Sequence, residues 1–148
     1  MTNYESSNIK TLPIKNVPNQ LKELYKKGRE LNIMTEQMLK DIADNVCSVY
    51  NVQRIPITFA GTEPHKNRNG KLMLKVMGTH KRGVLGSTII VYKYTAKQKK
   101  IRSSKGAIST LLHELVHYLD YEICGLQRSI HSKGFYNRIS QLTEALKG

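Results

Sequence analysis

Between Ser103 and Glu122 the chain reads SSKGAISTLLHELVHYLDYE, a run whose apolar residues recur at helical spacing. A serine at its start can cap a helix, and Gly125 is placed to stop one. The residues that would share the broad buried face are Ile108, Leu111, Leu112, Leu115, Val116 and Leu119. We therefore predict a helix from Ser103 or Ser104 to about Glu122.

Three more segments of the chain have apolar residues at helical spacing. The first covers Asn19–Leu31, and the second runs from its cap at Thr35 to about Tyr50. The third runs from about Ser132 to Lys147 and has one apolar face, formed by Phe135, Ile139, Leu142 and Leu146. This last predicted helix follows the predicted Ser103–Glu122 helix directly.

Between these helices the pattern changes to short runs rich in branched and aromatic residues, which are typical of strands. They are Ile55–Phe59, Leu72–Val76 and Ser87–Tyr92, separated by turn-forming residues over 61–70 and 78–86. These gaps are too turn-like to hold crossover helices, so a small, three-stranded, mainly antiparallel sheet is expected. Helices on both sides of one sheet segment predict the α+β class.

The domain organisation predicted from this pattern is simple. Residues 1–18 are polar and contain Pro13 and Pro18, which indicates an irregular N-terminal arm. Residues 19–148 have the length of one domain with one core.

The central helix contains the motif His113-Glu-Leu-Val-His117. Positions four apart lie one turn above another, so two imidazoles can converge on one Zn²⁺. Glu114 is rotated away from that pair and can act as a general base without ligating the metal. The motif thus predicts a zinc site with His113 and His117 as ligands and Glu114 as the catalytic residue.

A catalytic zinc site needs a third protein ligand and an open position. His131 follows the second ligand by 14 residues, at the start of the last predicted helix, and is favoured. His65 and His80 are placed in turn-rich loops, while Glu122 and Glu144 are the alternatives.

Asp120 has two interpretations. It lies one turn beyond His117 and could accept the second ring N–H of a ligand, or it could simply be solvated.

The segments HELVHYLDYE and IHSKGFYNRI make the stretch from Ser109 to Ile139 resemble the SprT-like branch of the gluzincin-type zinc peptidases. In that family a third histidine is followed within four residues by an aromatic, matched here by His131 and Phe135. The resemblance implies a zinc metalloendopeptidase that acts on protein or peptide substrates and is often associated with DNA. It also likens the strand Ser87–Tyr92 to the edge strand that holds an extended substrate. The chain departs from the family in having Ser132 where glycine is frequent, and in lacking a cysteine-rich zinc ribbon.

The charge of the chain is concentrated in one segment. The whole sequence has a formal net charge of +13, and twelve basic residues against one acid lie between Ala60 and Lys105. The basic residues run from Lys66 to Lys105. A concentrated basic segment favours a polyanionic partner, and nucleic acid is the commonest.

Two alternatives to a DNA-associated peptidase stay open. One is a nucleic-acid-binding module with a structural zinc and no proteolysis, and the other is a peptidase whose charge serves solubility alone.

The remaining expectations concern location and assembly. No apolar run approaches the roughly 20 residues needed to span a bilayer, and no secretory signal pattern is visible. Cys47 and Cys124 are expected to be buried or free thiols. We expect a cytoplasmic monomer without membrane contact.

Overall fold

The computed structural model describes residues 3–13, 15–62, 65–68, 71–75, 78–83, 86–95, 100–126 and 129–148. Its helices are α1 (Asn3–Ile9), α2 (Asn19–Arg29), α3 (Glu36–Val49), α4 (Ser104–Glu122) and α5 (Lys133–Lys147). Its strands are β1 (Ile57–Phe59), β2 (His65–Arg68), β3 (Lys71–Lys75), β4 (Gly78–Gly83) and β5 (Gly86–Val91). The fold is α+β, as predicted.

Three of the helices begin at hydroxyl caps. The side chains of Thr35, Ser103 and Ser132 each accept a hydrogen bond of 3.1 Å from the backbone N–H three residues further on. Such a bond satisfies one of the donors that the first helical turn leaves without a partner. The four helices that the apolar spacing predicts are all present, with their ends within two residues of the expected positions.

The main sheet has the strand order β1-β5-β4. Strand β5 is central: it runs parallel to β1, with Ile57 opposite Ile89, and antiparallel to β4, with His80 opposite Ile89. The sheet is therefore mixed, and its longer pairing is the antiparallel one between β4 and β5, in agreement with the prediction of a small, three-stranded, mainly antiparallel sheet. The chain between β1 and β5 forms β2, β3 and β4, so it brings β5 alongside β1 without a crossover helix.

Three strands differ from the sequence prediction. The segments 61–70 and 78–86, expected as turn-rich gaps, contain β2 and β4, and β3 pairs with β2 in a separate two-stranded sheet. Gly78–Gly83 has a polar composition, so no run of apolar residues indicates that it forms a strand. Edge strands often have such a composition, because charged residues discourage pairing with other chains.

The expected irregular arm over residues 1–18 contains helix α1, which packs on α5. A Cβ added at Gly134 would lie 2.2 Å from the carbonyl oxygen of Ser7, so the two backbones are in direct contact. The N–H of Gly134 donates to Asn8 Oδ1 at 3.0 Å. A helix this short is stabilised by its docking rather than by its own sequence, which explains why no periodicity reveals it.

Helix α4 lies in the middle of the molecule and packs against α2, α3, α5, β4 and β5. Leu111, Leu115, Val116 and Leu119 on its buried face are fully shielded from solvent. Cys47 and Cys124 are buried free thiols, as predicted. Among the helices that the structure describes, none is both long and apolar enough to cross a membrane.

Candidate metal centre

Two elements bring three histidines together. Helix α4 presents His113 and His117 one turn apart, and the buried side chains of Leu115 and Val116 between them fix the orientation of that helix. His131 lies immediately before the cap of α5, so the position of α5 determines where its ring points.

The ligand atoms of the three rings converge. The Nε2 atom of His131 lies 3.2 Å from His113 Nε2 and 3.1 Å from His117 Nε2. A tetrahedral ion with bonds of about 2.0–2.1 Å would hold two ligand nitrogens roughly 3.3 Å apart. The three histidines thus lie close enough to bind one metal ion. Imidazole nitrogens suit zinc, copper, nickel and iron.

Phe135 forms the floor of this histidine cluster, which consists of His113, His117 and His131. Its side chain is fully buried, stacks on the His117 ring at a centroid distance of 4.3 Å, and meets His113 edge-on at 5.0 Å. The ring of Phe135 therefore packs against all three histidine rings. This contact also holds the start of α5 against α4.

Glu114 is adjacent to the cluster but outside it. Its carboxylate Oε1 lies 3.9 Å from His113 Nε2, and the residue is only 6% exposed. Burial raises the pKa of Glu114 to about 7, although a hydrogen bond from the backbone N–H of His80 acts in the opposite direction. A carboxyl group with a pKa near neutrality is suited to both take and release a proton.

Strand β4 approaches Glu114 closely because Gly78 has no side chain. A Cβ there would lie 2.7 Å from the Thr110 methyl carbon and 3.4 Å from Glu114 Cγ. This contact brings the His80 N–H within reach of the carboxylate.

The other candidates for a metal ligand lie elsewhere. Glu122 and Glu144 are exposed, and Glu144 pairs with Lys147 at 3.7 Å. His65 belongs to β2 and His80 to β4, so both stand on strands rather than in the predicted loops.

Asp120 is not solvated, and the hydrogen bond of His117 Nδ1 is to Ser129 rather than to Asp120 itself. It is fully buried, and Ser129 connects it to His117: the serine Oγ donates to Asp120 Oδ2 at 2.7 Å and lies 2.7 Å from His117 Nδ1. Arg138, which is 1% exposed, binds the same carboxylate with both Nε and Nη2.

Two residues that contact the site, Ser129 and Arg138, were not among the site residues predicted from the sequence. A signal existed for Arg138, because it occupies the apolar face of α5 between Phe135 and Leu142, where a charged residue implies a buried partner. Nothing in the sequence marks Ser129, since its role depends on how the loop before α5 folds back.

The tyrosines near the motif divide into two groups. The Tyr118 hydroxyl is buried and donates to the backbone oxygen of Gln53 at 2.6 Å, which is a structural role. Tyr136 is 49% exposed, with its ring centroid 5.9 Å from that of His131. It forms part of the rim of the histidine cluster.

Not every basic residue of the segment 66–105 is available to a partner. Arg102 is buried, and its Nε donates to the backbone oxygen of Tyr92 at 2.9 Å. Lys81, Lys100 and Lys105 are exposed.

No known protein family, curated protein or solved structure matches this chain.

Proposed function

We propose that this protein is a zinc-dependent metalloendopeptidase of the SprT-like kind. The observation that carries the proposal is the combination of three converging histidines with a buried carboxylate that is not part of their cluster. Three protein ligands would leave one coordination position for a reactant, and the Glu114 carboxylate lies 3.9 Å from one of the three ligand atoms, His113 Nε2. Zinc is the metal that best suits a three-histidine site used for hydrolysis.

Bound zinc would polarise the substrate carbonyl and activate water at neutral pH. The chain supplies the proton transfer. Glu114 takes a proton from the attacking water on a carboxylate oxygen and returns it to the leaving amine. Its burial and its position next to His113 support this assignment, because a base must lie within reach of the reacting water.

The substrate is proposed to bind as an extended strand along β4 rather than β5. Strand β5 (predicted as the edge at Ser87–Tyr92) has β1 on one side and β4 on the other, so it has no free edge. In the part of the chain that the structure describes, β4 has no strand on its outer side. The N–H of His80 in this strand is directed at Glu114, so the outer edge borders the site. Backbone pairing there would place a peptide next to the general base.

The nucleic-acid-binding module with a structural zinc is the weaker proposal. Structural zinc sites are closed by four protein ligands. Among the described residues, no fourth histidine, cysteine or carboxylate joins the three histidines.

A gel time course tests the peptidase directly. Zinc-loaded wild type, Glu114→Gln and His131→Ala would each be incubated with a basic DNA-binding protein. We expect cleavage by the wild type alone, its loss with a chelator, and its recovery when zinc is restored. Zinc content would be measured in each variant: Glu114→Gln should retain about one equivalent and His131→Ala should not. Cleavage by Glu114→Gln at the wild-type rate would overturn the role of Glu114.

We further propose that the substrates are DNA-associated proteins and that the segment 66–105 contacts DNA. The support is its charge: twelve basic residues and one acid between Ala60 and Lys105 account for +11 of the net +13. Phosphate contacts release counterions, so affinity should fall steeply with added salt.

A charge-matched pair of variants tests this location. Replacing Lys97, Lys99 and Lys100 with glutamine should reduce both the affinity for single-stranded DNA and its salt slope. The control replaces Lys22, Lys26 and Lys147, which lie together on the α2–α5 side, and makes the same change in net charge. Equal losses in both variants would show that only net charge matters, and would refute a DNA contact confined to the segment.

A further inference from the structure

A continuous set of buried and half-buried polar groups joins helix α1 to His117. At its centre is the pair formed by Arg138 and Asp120, which are 1% and 0% exposed. The guanidinium donates from Nε to Asp120 Oδ1 at 2.6 Å and from Nη2 to Oδ2 at 2.8 Å. Because arginine keeps its charge in proteins, this fork holds Asp120 as a carboxylate, which can only accept hydrogen bonds.

Ser129 has a single hydroxyl hydrogen, and that hydrogen is used in a hydrogen bond to Asp120. The hydroxyl donates to Asp120 Oδ2 at 2.7 Å. The same oxygen lies 2.7 Å from His117 Nδ1. Since the serine hydrogen is already used, its oxygen can only accept a hydrogen bond from the ring. His117 must therefore hold its proton on Nδ1.

A neutral imidazole has one N–H, so a proton on Nδ1 leaves a lone pair on Nε2. That Nε2 atom is the one that lies 3.1 Å from His131 Nε2 in the histidine cluster. We propose that Ser129 and Asp120 are positioning residues that fix His117 in its Nδ1–H tautomer before any metal binds. Free histidine in water samples both tautomers, so the relay removes a state in which the ring could not bind a metal through Nε2.

Helix α1 holds the far end of this relay. The Nη1 atom of Arg138 donates to the backbone oxygens of Ser7 and Lys10, and Nη2 also donates to Ser7 Oγ at 3.2 Å. These bonds engage the guanidinium on its other side and hold its fork toward Asp120. The relay therefore runs from α1 through Arg138, Asp120 and Ser129 to His117.

The tautomer can be measured by NMR on the metal-free protein with ¹⁵N-labelled histidine at pH 8, above the ordinary histidine pKa of about 6.5. Two-bond ¹H–¹⁵N correlations distinguish a protonated from an unprotonated ring nitrogen. The His117 signals would be assigned by their loss in His117→Gln. The variants are Ser129→Ala, which removes the relay, and Ser129→Thr, which keeps a hydroxyl. Ser109→Ala is the matched control, because Ser109 is exposed on α4.

In the wild type, in Ser109→Ala and in Ser129→Thr, we expect Nδ1 to be protonated and Nε2 unprotonated. Ser129→Ala should show exchange between tautomers or a shift to Nε2–H. Its zinc affinity, measured by competition with a chelator, should fall by about 10–100-fold. The urea midpoint of the metal-free protein serves as a check on folding and should stay close to that of Ser109→Ala. A wild-type His117 in the Nε2–H form, or an unchanged tautomer in Ser129→Ala, would overturn the proposal.

The consequence for zinc affinity rests on the metal site proposed above, whereas the tautomer measurement needs neither metal nor substrate. If the zinc-loaded wild type cleaves no protein in any assay, the proposed function is refuted, whereas the Nδ1–H assignment of His117 is unaffected. If His117 is held as the Nδ1–H tautomer in the wild type and released in Ser129→Ala, but the two proteins bind zinc with equal affinity, the predicted effect on metal binding is refuted and the tautomer assignment is not.

Discussion

Helix α4 contains two buried carboxylates, Glu114 and Asp120, whose surroundings give them different chemistry. Glu114 is close to the His113 ring and accepts one backbone N–H, and burial raises its pKa to about 7. Asp120 accepts two hydrogen bonds from the Arg138 guanidinium and one from Ser129. The first is suited to exchanging a proton, and the second to holding its neighbours in place.

Asp120→Asn should strongly destabilise the metal-free protein, because it leaves the Arg138 charge buried without a counter-ion. Breaking a buried pair in this way costs about 3–5 kcal/mol. Urea unfolding followed by circular dichroism would measure the change.

The control for that substitution is Asp44→Asn. Asp44 pairs with Arg54 at 4.0 Å, where the arginine side chain is 79% exposed. A surface pair of this kind contributes about 0–1 kcal/mol. Similar unfolding free energies for the two variants would contradict the structural importance of the Asp120–Arg138 pair.

Metal binding should resist acid better than ordinary histidine ligands would. Burial, with the neighbouring imidazoles, lowers the pKa of His117 to about 3, and burial also lowers the pKa of His113. A lowered pKa means that the neutral, ligating form persists as the pH falls below the usual value of about 6.5.

Three ordinary histidines would lose roughly 1,000-fold in affinity between pH 7.5 and pH 5.5, because each would have to release a proton. We expect a much smaller loss here. The measurement is a chelator competition at each pH, with the chelator's own protonation taken into account. A fall of the full 1,000-fold would show that the rings titrate normally.

At the scale of secondary-structure elements, α1 and α5 are in direct backbone contact. Gly134, in the first turn of α5, faces the backbone of Ser7 with no room for a Cβ. The same helix start carries Ser132, whose hydroxyl lies 2.6 Å from that of Ser7. Since His131 directly precedes Ser132, the docking of α1 influences the position of the third histidine.

Gly134→Ala tests this docking, because the contact predicts that the substitution lowers the free energy of unfolding, whereas helix propensity alone predicts that it raises it. Alanine normally stabilises a helix relative to glycine by up to about 1 kcal/mol. Here the added methyl group should force α1 away from α5 and destabilise the protein, by about 1–3 kcal/mol as for other overpacked sites. Thermal unfolding would report the change, and a rise in melting temperature would contradict the contact.

For the whole molecule, the histidine cluster connects helix α4 to the loop before α5, so metal binding and folding should be coupled. A ligand that binds only the folded state adds about 4.1 kcal/mol of stability at 1,000 times its dissociation constant. For a chain of this length that gain should raise the melting temperature on the order of 10 °C.

Thermal unfolding with excess zinc or excess chelator would measure this gain. His131→Ala should lose most of the zinc-dependent shift, because two histidines remain on one helix and no longer connect α4 to the loop before α5. Magnesium, which prefers oxygen ligands, is the control cation and should give no shift. An equal zinc effect in His131→Ala would place the bound metal elsewhere.

Features that depend on residues close together in the chain could be predicted from the amino-acid sequence. Hydroxyl caps and apolar spacing predicted four helices, because these signals act within a few turns. The spacing of His113 and His117 fixed their common face for the same reason. The α+β class followed from the order of these local patterns.

The other features depend on contacts between segments that are far apart in the chain, so they become visible only in the folded structure. Strand β4 has a polar composition, and its identity comes from pairing with β5. Helix α1 is too short to be stable alone and forms by docking on α5. Ser129 and Arg138 acquire their roles only when the loop before α5 and the helix itself fold against α4. Burial, which gives Glu114 and His117 their shifted pKa values, likewise belongs to the assembled core.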